Sequence, residues 1–325
     1  MASLNTKYLS LDLKSPVIVS AGPLTQNIVS LKKCEEAGAG AVVLKSIFEE
    51  QIESDVSNEY DSNEEYLTHS TAEAAYKEQS RDFYIDKYMK LLVAAKKELS
   101  IPVIASICCK SRDNWAEYAS RFIACGADAI ELNYYPIASD ASVPGSEVDK
   151  ALESFVKFAR KKITCPLSIK IGYKYSSLAN TIRMFDREGI DAAVLFNRFF
   201  RPDIDIVSMS FINGIPTSSP NDYGEALRWI GLMSGEVKMD LAGNTGIYSG
   251  ETAIKMLLAG AKAVEVCSVV IKDGFSAITK INRDIESWME RKNFADIASF
   301  CGKLAEERNS EGYKWERTQF LKTIN

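Results

Sequence analysis

Asp240-Leu-Ala-Gly-Asn-Thr-Gly-Ile247, with its echo Val264-Glu-Val-Cys-Ser268, is the stretch that decides the fold. Each segment reads as a short buried strand ending in small residues. A turn follows, then a new helix: Ser249-Gly250 opens one and Asp273-Gly274 opens another. Small residues let backbone N–H groups approach an anion, and a helix start adds a positive dipole end. Two such loops one βα unit apart, near the end of a chain, are where a (β/α)8 barrel holds a phosphate. Plain turn chemistry is the alternative reading at this point, because helix ends and turns favour Gly anyway.

Working outward from that stretch, short continuous apolar runs recur near residues 16, 41, 102, 128, 166, 191, 237 and 262, alternating with amphipathic helical segments. Such runs are what strands buried on both faces look like. Gly-Ala phrases at 38–41, 126–129, 189–193 and 260–263 read as helix stops leading into the next strand. Eight βα units predict an α/β fold, a (β/α)8 TIM barrel, rather than an open sheet. No stretch has linker composition, so 1–325 is expected to be a single domain. Two loop insertions are expected. One is the acidic, polar 49–80 after strand two, of the length that lids or substrate loops have; a solvated excursion is the other reading. The second is an irregular 199–221 after strand six. A helix is expected over 86–99 and a last one over 294–307.

The 325 residues, 46% hydrophobic and 26% charged, describe an ordinary soluble globule with ample core. A net charge of −5, with no basic run, argues against a nucleic-acid partner. No apolar run approaches the roughly 20 residues of a spanning helix, and the N-terminus lacks a signal-peptide core. No membrane partner and a cytoplasmic location are therefore expected. The seven cysteines are scattered and there is one histidine, His69. No metal site is expected, and the thiols read as buried small hydrophobes.

In a barrel the chemistry sits at the C-terminal ends of the strands. Strand one ends in Ala21-Gly22, strand two in Lys45-Ser46, and strand four in Glu131-Leu-Asn133 followed by Tyr134-Tyr135. Strand five carries Lys170, and strand six ends in Phe196-Asn197-Arg198. Lysine is rarely buried unless paired. Two cations, two amides and a phosphate cradle suit a phosphorylated, electron-rich planar ligand such as FMN, with a lysine positioned to stabilise negative charge on the reduced ring. The alternative is that Lys45 and Lys170 pair with barrel carboxylates such as Glu131.

At these positions the sequence resembles the dihydroorotate dehydrogenases, FMN-containing TIM barrels, in order over nearly the whole chain. The resemblance rests on Ser15-Pro16-Val-Ile-Val-Ser-Ala-Gly22, Gly40-Ala-Val-Val-Leu-Lys-Ser46, Glu131-Leu-Asn133 and Pro166-Leu-Ser-Ile-Lys170. It continues in Asn197, in Gly243-Asn-Thr-Gly-Ile247 for the family's Gly-x-Gly-Gly-Ile, and in Cys267-Ser268 for its Gly-Thr pair, followed by Lys272-Asp-Gly274. The resemblance implies that Ala21 and Gly22 lie along the flavin ring. Lys45, Ser46, Asn133 and Lys170 then touch ring or ribityl, with Lys170 counted among the catalytic residues. Phe196 and Asn197 flank ring and substrate. Ser219, Gly243, Thr245, Gly246, Cys267 and Ser268 hold ribityl and phosphate. It implies oxidation of dihydroorotate to orotate, a step of pyrimidine biosynthesis, with a proton removed from C5 and a hydride passed from C6 to flavin N5. A homodimer is the assembly it suggests. The absence of an amphipathic helix before strand one disfavours the quinone-linked type.

The departures fall on the substrate side. The family's Cys or Ser base and its following Pro-Asn are replaced by Tyr134-Tyr135-Pro136-Ile137. Its asparagine-rich segment after strand two is Thr68-His69-Ser70-Thr71, and a serine after Asn197 is Arg198. Sites built to hydrogen-bond a substrate discriminate strongly through those groups, so such losses bear on which substrate is used. Tyr135 is the candidate acid or base, or else lines a pocket with Tyr134. Asn133, Asn197, Arg198 and His69 are the candidate substrate contacts. Arg198 either clamps a carboxylate or bridges to an acidic side chain, and His69 either enters the pocket or stays in solvent. The substrate is then dihydroorotate or a related carboxylate. Two other functions remain open: a flavin-binding barrel without turnover, and a phosphosugar lyase or aldolase using Lys170 as a Schiff base.

Overall fold

A computed structural model describes residues 2–54, 70–109, 111–134, 136–198, 201–305 and 315, with backbone alone for 70–80 and 213. An antiparallel hairpin, β1 (Thr6–Tyr8) and β2 (Leu11–Leu13), precedes the first barrel strand. The barrel strands are β3 (Val17–Val19), β4 (Ala41–Val43), β6 (Val103–Cys108), β7 (Ala129–Asn133), β8 (Leu167–Ile171), β9 (Ala192–Leu195), β12 (Asp240–Asn244) and β13 (Ala263–Val266). The short β5 (Ile47–Phe48) prolongs the second strand's pairing with β6, and β10 (Pro202–Asp205) with β11 (Ser210–Asn213) forms a separate hairpin. All eight barrel strands are parallel. β4 joins β6 through Val42 and Val103, and β13 joins β3 through Val264 and Val17, which closes the ring. This is the expected TIM barrel, with each predicted strand in place.

The Gly-Ala phrases carry two structural jobs. Gly38, Gly126, Gly189 and Gly260 have φ of 92°, 92°, 81° and 115°, the left-handed conformation that ends a helix without a Cβ clash. The alanines that follow, Ala41, Ala129, Ala192 and Ala263, point into the barrel and pack with Ile18, Val43 and Ile104. Small side chains there leave room for Tyr8 and Leu9 of the N-terminal hairpin, which are 1% and 0% exposed and plug the N-terminal end. The sequence reading missed this hairpin: three-residue strands carry too little pattern to register.

Side chains of a strand alternate between faces, so the inward residues above the alanine layer follow from counting by two. They are Ser20, Ser106, Glu131, Asn133, Ser168, Lys170, Asn244 and Glu265, all buried. The C-terminal half of the barrel interior is therefore polar, and it stands directly above an apolar plug.

Four details differ from the sequence expectations. The helix expected from 86 runs over Ser70–Glu98, because the alanine- and glutamate-rich 71–80 favours a helix despite its polarity. The insertion after strand two is correspondingly shorter: 49–54 are helical, and 55–69 lie outside the described residues. The segment expected to be irregular after strand six contains the β10–β11 hairpin. Its Ile206, Val207, Met209 and Phe211 face solvent, so no inward–outward alternation betrayed it. Finally, 294–305 form turns rather than a helix. Asp296 captures the Ser299 N–H at 2.8 Å, and Gly302 sits at φ 75°. Among the described residues no helix is long and apolar enough to cross a membrane.

Candidate active site

The strand ends bring most of the singled-out residues together. Asn197 Nδ2 donates to Asn133 Oδ1 at 2.6 Å, and Asn133 Nδ2 donates to Ser46 Oγ at 3.2 Å. Ser46 and Ser106 share a hydroxyl contact of 2.8 Å, and Ser106 Oγ donates to Glu131 Oε1 at 3.2 Å. A hydroxyl has one hydrogen, and that of Ser106 goes to Glu131, so Ser46 is the donor of the pair. The bonds thus run in one direction, from the β9 end to Glu131 inside the barrel. Beside them, Lys170 Nζ donates to Glu265 Oε2 at 2.7 Å and to Ser20 Oγ at 2.6 Å, while Ser20 Oγ donates to the same Glu265 oxygen at 2.8 Å.

Lys170 therefore pairs with a barrel carboxylate as one reading anticipated, but the partner is Glu265, not Glu131. Lys45 is half-buried and makes no ion pair with a described residue. Burial pulls the Lys170 ammonium down, yet Glu265 and then Glu131 outweigh it and hold its pKa above the ordinary lysine value. Burial, and then the charge of Glu265, push Glu131 up from 4.5 to about 8 against the pull of Lys170. The native state thus keeps a proton on Glu131 that the unfolded chain releases. Stability from this group is complete below the ordinary carboxylate range and is lost as pH rises through about 8. Ligand-free protein should accordingly lose denaturant resistance between about pH 6 and about pH 9, and Glu131→Gln should flatten that slope; an unchanged slope would contradict the assignment.

At the other end, the loops after β12 and β13 meet the segment at Ser218-Ser219. Ser219 is exposed, its N–H bonded to Asp222 Oδ2 at 2.8 Å. Its neighbour Ser218 is buried: its N–H donates to Ser268 Oγ at 2.9 Å and its Oγ accepts from Gly246 N at 3.3 Å. The Ser218 carbonyl takes the Tyr248 hydroxyl and the Lys272 ammonium, the latter at 3.3 Å. Lys272 lies 5.1 Å from the Tyr248 ring centre and has no carboxylate partner among the described residues. Gly243 also departs from expectation. It points outward, where a Cβ would stand 3.0 Å from Met256 Cγ, so its smallness serves strand–helix packing. The helix Gly250–Ala259 is capped by its own Ser249, whose oxygen accepts from Thr252 N. Asp273-Gly274 does not open a helix directly after the strand; a short helix, Ser268–Asp273, intervenes.

Thr245 stands at φ 73°, and its hydroxyl, with the Asn244 amide, donates to the Phe196 carbonyl at 2.8 and 2.9 Å. That fixes the strand-six end against the strand-seven loop. Ala21 packs on the barrel-interior cluster, and Gly22 leaves space for Cys267: a Cβ on Gly22 would lie 2.7 Å from Sγ. Burial pushes the Cys267 thiol up despite nearby Lys170, so it packs as an uncharged group. All seven cysteines are free, but only Cys34 is fully buried; the expectation of buried thiols holds for it alone.

A cavity of about 880 Å³ opens beside these strand ends, lined by Tyr134, Tyr173, Phe196, Asn197, Arg198 and Thr245 among others. Tyr134 stacks on Phe155 at 4.7 Å, and burial pushes its hydroxyl pKa up, which makes it a wall rather than a base. The Arg198 Nε is buried with no hydrogen-bond partner among the described residues. Tyr135 and His69 lie outside the described residues. The sequence reading placed Ser106 at the end of strand three but did not single out Ser20, Ser218, Tyr248 or Glu265. Glu265 was within the quoted stretch, and its inward register two residues after Ala263 was the available signal.

Residues 3–289 match the family profile described as dihydroorotate dehydrogenase. The chain is 27% identical to the catalytic subunit of the dihydroorotate dehydrogenase B (NAD(+)) of Methanosarcina acetivorans, over 90% of this chain and 93% of that one. It is 25% identical to the corresponding subunit of Thermoplasma acidophilum, over 93% and 99% of the two chains. With that profile matched over nearly its whole length, on a barrel closed as described, the chain belongs to the dihydroorotate dehydrogenase family, whose members are oxidoreductases acting on CH–CH groups with FMN as the family cofactor.

Proposed function

We propose that the protein is a cytoplasmic, single-domain FMN-dependent oxidoreductase that dehydrogenates dihydroorotate or a closely related small carboxylate. The observation that carries this reading is the pair of cationic ends left without carboxylate partners among the described residues: Lys45 at the strand-two end and Lys272 at the cradle. A ligand with a phosphate at one end and an electron-rich ring at the other satisfies both. Ala21, Gly22, Lys45, Ser46, Asn133 and Lys170 would border the ring, and Ser218, Gly246, Ser268 and Lys272 the phosphate. When bound, FMN supplies a two-electron acceptor.

The chain's own residues do the rest. The Asn133 and Asn197 amides hold the substrate ring, and they arrive pre-aligned by their mutual bond. Arg198, with its unpartnered Nε, pairs with the substrate carboxylate. Tyr135, in its phenolate form, takes the substrate C5 proton, a role that the packed Tyr134 does not fill. The wall of Tyr134, Tyr173 and Phe196 keeps water from the reacting atoms. The lyase alternative loses ground because a Schiff base needs a neutral amine, and Lys170 is held protonated by Glu265.

Purified protein should be yellow and release stoichiometric FMN on denaturation. Anaerobic dihydroorotate should then bleach it. A colourless protein that FMN does not reconstitute would sink the reading. A yellow protein bleached by dithionite but not by dihydroorotate would leave a flavin barrel with another substrate or none. The assembly we propose is a homodimer, read out by light scattering.

A further inference from the structure

We propose that Glu265 is a positioning residue: from the floor of the barrel it holds and neutralises Lys170, so that a flavin bound above is harder to reduce than over an uncompensated lysine. The inference rests on the reading of this site as a flavin site and adds a residue to it.

The geometry assigns Glu265 the central place. One oxygen, Oε2, receives both the Lys170 ammonium and the Ser20 hydroxyl, and Ser20 is itself a second acceptor for Lys170. The three groups form a closed triangle with the lysine and the carboxylate 5% and 1% exposed. The other oxygen, Oε1, is buried and has no partner if both glutamates are charged. A buried acceptor without a donor is costly. Protonated Glu131 supplies that donor, and the charge of Glu265 is among the forces that keep Glu131 protonated. The one-way row of bonds from Asn197 through Asn133, Ser46 and Ser106 therefore ends, through Glu131, on Glu265.

The groups facing this pair are Tyr8 from the N-terminal hairpin, Ser20 from β3, Glu131 from β7, Ser168 from β8 and Cys267 after β13. Tyr8 and Cys267 are neutral, since burial raises both. Glu131 carries its proton. What remains is one cation, Lys170, and one anion, Glu265, in a water-excluded interior where charges act strongly. Reduction adds negative charge to a flavin, and an unneutralised lysine beneath it would stabilise that charge. Glu265 cancels most of that effect while fixing where the ammonium sits.

The test measures the flavin midpoint potential by anaerobic dye titration at pH 6.5 for wild type, Glu265→Gln and Glu131→Gln, together with FMN content. Glu265→Gln should keep FMN and raise the reduced-to-oxidised ratio at fixed potential at least tenfold, about 30 mV for a two-electron couple. Glu131→Gln should change the ratio less than twofold, because that group is already neutral. If Glu265→Gln does not fold, Glu265→Asp withdraws the carboxylate from Lys170 and should move the ratio the same way by a smaller factor. A Glu265→Gln or Glu265→Asp ratio equal to wild type overturns the inference while leaving the flavin reading intact, as does an equal shift in Glu131→Gln. Wild-type protein that binds no flavin overturns the flavin reading, and this inference falls with it.

Discussion

Lys170→Ala should lose most of its FMN and about 3–5 kcal/mol of stability, the latter because the substitution strands a buried carboxylate. Lys170 is the sole cation touching Glu265 among the described residues, with the carboxylate 1% exposed. Removing it leaves Glu265 with the Ser20 and Glu131 hydroxyls but no cation, and forces the glutamate to take a proton or admit water. The two losses have different origins, and a second variant separates them. Replacing the whole pair, Lys170→Met with Glu265→Leu, removes both charges, and apolar replacement of a buried ion pair is often neutral or stabilising. That double variant should regain denaturant resistance and remain poor in FMN. If it regains FMN as well, Lys170 has no part in holding the flavin and serves only Glu265. If Lys170→Ala unfolds at the wild-type denaturant midpoint, the ion pair is not the structural element described. Urea unfolding, and flavin absorbance after heat release, are sufficient measurements.

The barrel was legible in the sequence because its signals are local and repeated. Apolar runs mark strands buried on both faces, and the left-handed glycines at 38, 126, 189 and 260 punctuate them. What the sequence hid was of two kinds. Elements without a clear apolar pattern were invisible: the β10–β11 hairpin shows its apolar residues to solvent, and the polar 71–80 reads as a loop although its alanines and glutamates favour a helix. Environments that depend on register were not legible to the single position. Ser218 and Ser219 differ by one residue, yet one is sealed in the cradle and the other faces water. Gly243 was a ligand contact only as the family resemblance implied it, and strand alternation turns it to the outside while Asn244 points in. Lys170 was singled out at its strand end, whereas its partner was not, since the inward register of Glu265 is read only by counting two residues on from Ala263, which faces the barrel interior.

Adjacent residues of the strand-seven loop should respond in opposite ways to a change at the same kind of backbone. Thr245 and Gly246 both sit in the left-handed region, at φ 73° and 77°. At Gly246 a Cβ would stand 2.4 Å from Tyr223 N and 2.8 Å from Asp222 C, both backbone atoms that cannot swing aside. Gly246→Ala should therefore cost about 2–4 kcal/mol, the left-handed penalty plus displacement of the chain at 222–223. That segment leads from Ser218 and Ser219 into the helix Gly224–Met233. Moving it breaks the Gly246 N–Ser218 Oγ contact and, through Ser218, the bond to Ser268. FMN retention should fall with stability. At Thr245 the penalty is already present in the wild type and is offset in part by the hydroxyl bond to Phe196 O. Thr245→Gly relieves the first and loses the second, so it should shift stability by no more than about 1 kcal/mol. The contrast is the diagnostic: if both variants lose FMN equally, the loop acts through its side chains, and if only Gly246→Ala does, it acts through the close approach of its backbone to the chain at 222–223.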